Sequence, residues 1–404
     1  MEDISVLVCD DSALMRNLIS RIIDGTEGMR VCAKAMNGSI ALEKIPLIEP
    51  DLIVLDIEMP VMTGVEFLEE RKKRGIDVPV VVLSSIATKG AAVTMRCLEL
   101  GASDFITKPN GSISADLSAI AATLVEKIGS YGSRYASRRG KQVYPPDFFH
   151  KMMKLKLAEK YVADQKGEIS VEKPADNTAT KAIVESFTFS WQKKQEKKEP
   201  EVITPVREGG RIDIIAIGIS TGGPNALRDV FKAIDPRLKQ PILVVQHMPA
   251  GFTKEFAESL NHICPLEVKE AEEGEKIQNG HIYIAPGDYH IYVKRELSGP
   301  VLHLSQEAQR NGHRPSADVL FESIANEYKN NALGIIMTGM GKDGAAQLTE
   351  MRKQGAWTLG QDSDSSIVYG MPRVAWEMGA VQKQCSLREM PDEISRLARE
   401  HLVK

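Results

Sequence analysis

Cysteine is scarce in this 404-residue chain. The five thiols, Cys9, Cys32, Cys97, Cys264 and Cys385, are odd in number, scattered, and never in C-x-x-C spacing. That pattern speaks against a disulfide framework and predicts reduced thiols in a cytoplasmic protein. Long apolar runs are also lacking. None approaches the ~20 residues that a membrane-spanning helix requires, so membrane insertion is not expected. The opening M-E-D-I-S-V-L-V is acidic and runs straight into a strand-like segment, which does not read as a signal peptide. Charge of one sign is missing too: 51 Lys and Arg stand against 55 Asp and Glu, a net charge of -4. Without a basic field or a basic recognition helix, nucleic acid is not an expected partner. What remains, 43% hydrophobic and 26% charged residues, is ordinary for a globular protein, and the length predicts two or three domains.

Residues 1–130 alternate strand and helix patterns. Strands are predicted at Ile4–Cys9, Met29–Ala35, Leu52–Leu55, Val78–Leu83 and Asp104–Thr107, with helices between them and a last helix from about Ser112. Five such units predict one doubly wound parallel sheet, whose ligands sit at the carboxyl ends of its strands. The polar residues fall there: Asp10 and Asp11 after the first strand, Asp56 at the third, Ser84 at the fourth, Lys108 at the fifth. Three carboxylates brought together repel unless a hard cation sits among them, and Mg²⁺ takes oxygen ligands while leaving positions open for phosphate. Ser84 and Lys108 are chemically suited to contact a phosphoryl group. Any one of these residues alone would read as a helix cap or a solvated strand end.

The motifs D-D-S, D-I-E-M-P-x-M-x-G, L-S-S and F-I-T-K-P resemble bacterial response-regulator receiver domains over roughly residues 3–128. The resemblance implies that Asp56 accepts a phosphoryl group from a histidine kinase. It also implies that Asp10, Asp11 and Asp56 hold Mg²⁺, that Ser84 and Lys108 read the phosphate, and that Phe105 is the switch aromatic.

Residues 131–208 change in composition to Ser, Arg, Lys, Glu and Pro, as in Q-K-K-Q-E-K-K-E-P, which predicts an inter-domain linker. Two islands interrupt it. Phe148–Val162 has the spacing of an amphipathic helix, and Phe187, Phe189 and Trp191 alternate with polar residues. Local packing is the simpler reading of both, a domain latch or docking element the sharper one.

The α/β rhythm resumes over residues 209–404. Ile212–Ile217 is an apolar run of the kind buried in parallel sheets. It ends in Gly218-Ile219-Ser220-Thr221-Gly222-Gly223-Pro224, then a helical pattern. Strand, glycine turn and helix present a serine at a strand end, as in the G-x-S-x-G elbow; the plainer alternative is a serine helix cap. Later strands are predicted at Pro241–Val245, 280–285, Leu333–Met337 and Ala356–Leu359. His247 follows the first of these and Asp343 the third. Serine needs a general base, histidine suits that role, and an acid on the far imidazole nitrogen fixes its tautomer. His247 and Asp343 could each merely cap a helix, and His313 could cap or line a site. A rival lies in Gly339–Gly344, which matches G-x-G-x-x-G after an apolar strand, with Asp362 about where a ribose-binding acid would lie. It would make this a dinucleotide-binding unit, although it comes late in its domain.

The motifs G-I-S-T-G-G-P, V-Q-H-M-P, I-A-P-G, H-R-P-S-x-D-x-L-F and T-G-M-G-x-D-G resemble, in order, the chemotaxis protein-glutamate methylesterases. The resemblance implies a C-terminal α/β parallel-sheet esterase domain in which Ser220 is nucleophile, His247 base and Asp343 orienting acid. The Met340 backbone N–H would be an oxyanion donor, with Thr221 and His313 lining the site, and no cofactor would serve the esterase chemistry. It further implies methylated chemoreceptors as substrate, a chemotaxis kinase as phosphodonor, possible glutamine deamidation, and a receiver that restrains the esterase until phosphorylated. The linker looks longer than the family pattern, so its islands inherit no role.

Overall fold

The computed structural model describes residues 1–85, 88–108, 113–153, 199–297 and 299–402. Two parallel sheets organise them. The first has the order β2-β1-β3-β4-β5, built from β1 (Ile4–Cys9), β2 (Met29–Ala35), β3 (Leu52–Asp56), β4 (Val80–Ser84) and β5 (Asp104–Thr107). Every residue of β1, β3 and β4 is buried. These are the strands covered by helices on both faces, which explains their unbroken apolar runs. Flanking them are α1 (Ala13–Asp24), α2 (Gly38–Ile48), α3 (Gly64–Lys73), α4 (Thr88–Glu99) and α5 (Ile113–Arg138). Local chemistry sets their starts: Ser12 caps α1, Asn37 caps α2, and Thr63 with Glu66 closes a capping box on α3.

The second sheet has seven strands in the order β14-β13-β12-β6-β7-β9-β8. They are β6 (Ile214–Ile219), β7 (Ile242–Gln246), β8 (Glu267–Glu270), β9 (His281–Ile284), β12 (Ala332–Ile336), β13 (Trp357–Gln361) and β14 (Lys383–Cys385), all parallel. A separate antiparallel hairpin, β10 (His290–Glu296) with β11 (Gly299–Ser305), stands beside it. The helices that matter for the site are α6 (Gly223–Ala233), α7 (Thr253–Asn261), α8 (Ala317–Tyr328) and α9 (Ala345–Gln354). The chain enters at β6 and builds to one side through β7, then crosses to the other side at β12. The strand order therefore reverses beside β6. In the first sheet it reverses beside β1, between β1 and β3. Crevices open at such reversals, and the candidate residues of both domains collect there.

The packed body of the first domain runs past residue 130. Helix α5 continues to Arg138, and Val143, Phe148, Phe149 and Met152 join the core that contains Ile4, Ile19 and Ile128. The predicted boundary near 130 thus falls inside a helix. A helical stretch does occupy 146–153, as the Phe148 island predicts, but its continuation to Val162 and the Phe187–Trp191 island lie outside the described residues. The far end of the predicted linker is docked on the second domain, where Glu201 N–H donates to Glu377 O and Val206 N–H to Lys353 O.

The domains pack face to face. Phe105 of β5 stacks on Phe252, with ring centroids 4.9 Å apart and 19° between planes. Asn225 Nδ2 donates to the carbonyls of Ala102 and Ser103 at 3.0 and 3.2 Å. Glu99, at the end of α4, accepts from Ser259 Oγ at 2.9 Å and lies 3.7 Å from Arg228 Nη2. Arg134 of α5 donates to the carbonyls of Ser366 and Asp364. The first domain is thus seated over the crevice of the second.

Candidate active site and phosphoacceptor site

In the second domain, Ser220 follows β6, His247 follows β7, and Asp343 sits in the loop between β12 and α9. These residues, far apart along the chain, converge. The His247 ring lies between the other two, with Nδ1 3.0 Å from Ser220 Oγ and Nε2 2.8 Å from Asp343 Oδ2. A carboxylate can only accept, so Nε2 carries the proton toward Asp343. Nδ1 is then the free base facing the serine hydroxyl, which donates to it.

Asp343 is held on many sides. Besides His247, its carboxylate accepts from Asn311 Nδ2 at 2.8 Å, Ser316 Oγ at 2.6 Å, and the N–H of Ala317 at 2.7 Å. The last of these places it against the N-terminus of α8, where the helix dipole favours an anion. Burial pushes its acidity toward the neutral form. The His247 contact, then the Ser316 and Asn311 bonds, outweigh burial and hold it well below the usual carboxylate range. A depressed folded value means that its charge stabilises the fold above the ordinary carboxylate range, and that this stability fades only as acid approaches the lower, folded value. We therefore expect Asp343→Asn to lower turnover on the order of 10⁴-fold with the fold retained, because an amide facing Nε2–H favours the wrong tautomer. Turnover measured against pH, with circular dichroism as a control for folding, checks this.

Glycine makes the geometry possible at two positions. Gly222 has φ +82°, and a side chain there would meet Ile367 at 2.7 Å. A Cβ on Gly339 would come within 2.8 Å of the Ser220 Cβ, so this glycine lets the Thr338–Gly344 loop close on the serine. Ser220 N–H donates to Thr338 O at 2.9 Å and Thr338 Oγ1 to Thr221 O, also 2.9 Å, locking the two loops together. Among the described residues, the Met340 N–H finds no protein acceptor, as a donor kept for a developing oxyanion requires. His313 stacks on His247 at 3.8 Å between centroids. Thr221 is buried beside the serine and donates from Oγ1 to Glu126 of α5 at 3.2 Å.

The sequence did not reveal Asn311, Gln246 or Glu126. Asn311 sits at φ +55° in an irregular stretch with no periodic signal. Gln246 is the last residue of β7 and donates from Nε2 to Ser220 O at 3.1 Å. Glu126 belongs to the other domain. The glycine-rich rival fits poorly. Asp343, inside the G-x-G-x-x-G, faces His247. The Asp362 carboxylate accepts from its own turn, from Ser365 N–H at 2.9 Å and Ser365 Oγ at 2.6 Å.

At the reversal of the first sheet, Asp10, Asp11 and Asp56 each present an oxygen within 4.8 Å of the others. Three carboxylates with one exposed member match the donor preference of Mg²⁺, leaving room for water and phosphate. Lys108 Nζ lies 2.7 Å from Asp56 and 3.3 Å from Asp10. Burial raises the Asp56 pKa, opposed by Lys108 and reinforced by Asp10. Ser84 ends β4 as expected, but its hydroxyl is engaged with Thr94 Oγ1 of α4 at 2.6 Å. To meet a phosphoryl oxygen it must exchange that partner.

A family model described as a response regulator receiver domain matches residues 6–117, and one described as CheB methylesterase matches residues 215–394. The protein-glutamate methylesterase/protein-glutamine glutaminase of Treponema denticola is 53% identical over 99% of this chain and 100% of that protein. The one of Treponema pallidum is 49% identical over 98% of this chain and 97% of that protein. The catalytic domain of Thermotoga maritima CheB methylesterase is 35% identical, covering 47% of this chain and 99% of that chain, with a TM-score of 0.45. Fold, site and relatives together define a response regulator whose output domain is a hydrolase. The chain belongs to the family of protein-glutamate methylesterases/protein-glutamine glutaminases.

Proposed function

We propose that this enzyme hydrolyses γ-glutamyl methyl esters on the cytoplasmic helices of chemoreceptors, with Ser220 as nucleophile, His247 as general base and Asp343 as the orienting acid. The single observation that supports it most is the imidazole bridging Ser220 and Asp343 at 3.0 and 2.8 Å. As Ser220 Oγ attacks the ester carbonyl, its proton passes to His247 Nδ1. Asp343 steadies the resulting imidazolium, and the Met340 N–H faces the oxyanion. Collapse of the tetrahedral intermediate returns the proton to the departing methoxide, releasing methanol. Water, deprotonated by the same nitrogen, then cleaves the acyl-serine and frees glutamate. The same sequence with ammonia leaving would deamidate a glutamine, the second activity in the relatives' names.

Asp56 is the proposed phosphoacceptor for a chemotaxis histidine kinase, with Ser84 and Lys108 contacting the phosphate. Asp10, Asp11 and Asp56 would hold Mg²⁺, which when bound supplies charge neutralisation for phosphoryl transfer. The cytoplasm is the proposed location, in keeping with five free cysteines and with the absence, among the described residues, of any helix long and apolar enough to cross a membrane. The test is methanol release from methylated receptor membranes, with and without a small phosphodonor and Mg²⁺. Release that rises with the phosphodonor is the expected result; none in either condition overturns the reading.

A further inference from the structure

The receiver does more than cover the crevice: it places a glutamyl side chain there. Glu126, on the face of α5 turned to the second domain, accepts from Thr221 Oγ1 at 3.2 Å, one residue beyond the proposed nucleophile. Burial raises its pKa, opposed by Lys127 and by the Thr221 hydrogen bond. Neighbouring contacts fix α5 in register. Arg134 donates to the carbonyls of Ser366 and Asp364, and the Tyr131 hydroxyl donates to Asp104 at 3.0 Å.

Glu126 differs from Glu99, another glutamate at this interface. Glu99 meets a cation of the opposite domain, Arg228, and a second donor, Ser259. That is how an interface carboxylate is ordinarily satisfied. Among the described residues, Glu126 finds a neutral hydroxyl across the interface, and a nearby cation, Lys127, is on its own helix and pairs with Asp104 at 2.6 Å. A lone hydroxyl is a poor clamp for a structural anion. It is a fitting donor for a group that arrives as a neutral ester carbonyl, leaves as a carboxylate, and must be released.

We infer that Thr221 Oγ1 marks a glutamyl subsite, a donor for the side-chain carbonyl of substrate and carboxylate of product, and that Glu126 fills this subsite as a tethered product analogue in the closed chain. The restraint is then competitive: receptor glutamyl groups and Glu126 contend for one hydrogen bond. This rests on the Ser220–His247–Asp343 reading and adds to it the position of the glutamyl carboxyl.

The test uses the full chain without phosphodonor. Glu126→Ala should lower KM for methylated receptor membranes about tenfold, the worth of a hydrogen bond to a charged group, with kcat unchanged. Propionate, the carboxylate end of the missing side chain, should then inhibit Glu126→Ala competitively at concentrations that leave unphosphorylated wild type unaffected. Unaltered phosphorylation at Asp56 shows that the variant is folded. A KM equal to wild type, or one lowered without any gain in propionate sensitivity, overturns the subsite. Failure of the triad reading looks different, as methanol release surviving in Ser220→Ala whatever Glu126 does.

Discussion

Replacing Ser220 by alanine should cut methanol release from methylated receptor membranes on the order of 10⁴- to 10⁶-fold while Asp56 is phosphorylated at its normal rate. The magnitude follows from the division of labour. A serine hydroxyl is a weak nucleophile until its proton has somewhere to go, and the nitrogen 3.0 Å away provides that place. Alanine removes the proposed attacking atom, so the proposed base and oxyanion donor would have nothing to act upon, and what remains would be the modest rate that binding and polarisation alone give to water. The change is small, and Ser220 Oγ is not among the atoms holding the loops together. Those are its backbone N–H, bonded to Thr338, and its carbonyl, bonded to Gln246. Phosphorylation, assayed in the same preparation, reads the other domain as an internal control. Ester cleavage within tenfold of wild type would mean that Ser220 is not the nucleophile.

Asp56→Asn should leave the basal esterase rate intact and abolish its response to a phosphodonor. Coupling between sites of about 1–3 kcal/mol gives roughly 5- to 150-fold stimulation in a responsive chain, and the variant should show none. The proposed route runs through contacts on two elements. Lys108, 2.7 Å from Asp56, lies just beyond β5, the strand whose Phe105 stacks on Phe252. Ser84 is bonded to Thr94 of α4, the helix that ends at Glu99 with its bonds to Ser259 and Arg228. A phosphoryl group that draws Ser84 and Lys108 toward Asp56 pulls on both elements facing the second domain and shifts the population away from the closed form. Asparagine keeps the size of Asp56 and offers no acceptor carboxylate. Stimulation of Asp56→Asn by phosphodonor would refute the switch, and loss of basal activity would show that the residue supports the fold instead.

Much of this was readable in advance. The five strands of the first sheet and their order of occurrence follow from apolar runs that end in polar residues. The seven-stranded sheet was less complete. β8 and β14 are short and partly exposed, with patterns too brief to stand out, and the β10–β11 hairpin lies outside the α/β rhythm. Asn311 escaped notice because it acts from an irregular loop on a residue 32 positions away. Ser84 was placed correctly at its strand end, yet its present partner is a helix residue that no strand pattern indicates.

The sequence alone determined that two α/β units stand in series, that serine, histidine and aspartate lie at strand ends in one, and that carboxylates and lysine do so in the other. Such residues are local consequences of where each strand stops, and period and composition report them. Tertiary structure alone decided that β6 lies between β12 and β7, which brings Ser220, His247 and Asp343 to one crevice, and that α5 carries Glu126 into that crevice. The reason is physical: strand order and domain docking are set by which buried faces fit together across long separations in the chain, and no local pattern encodes that choice.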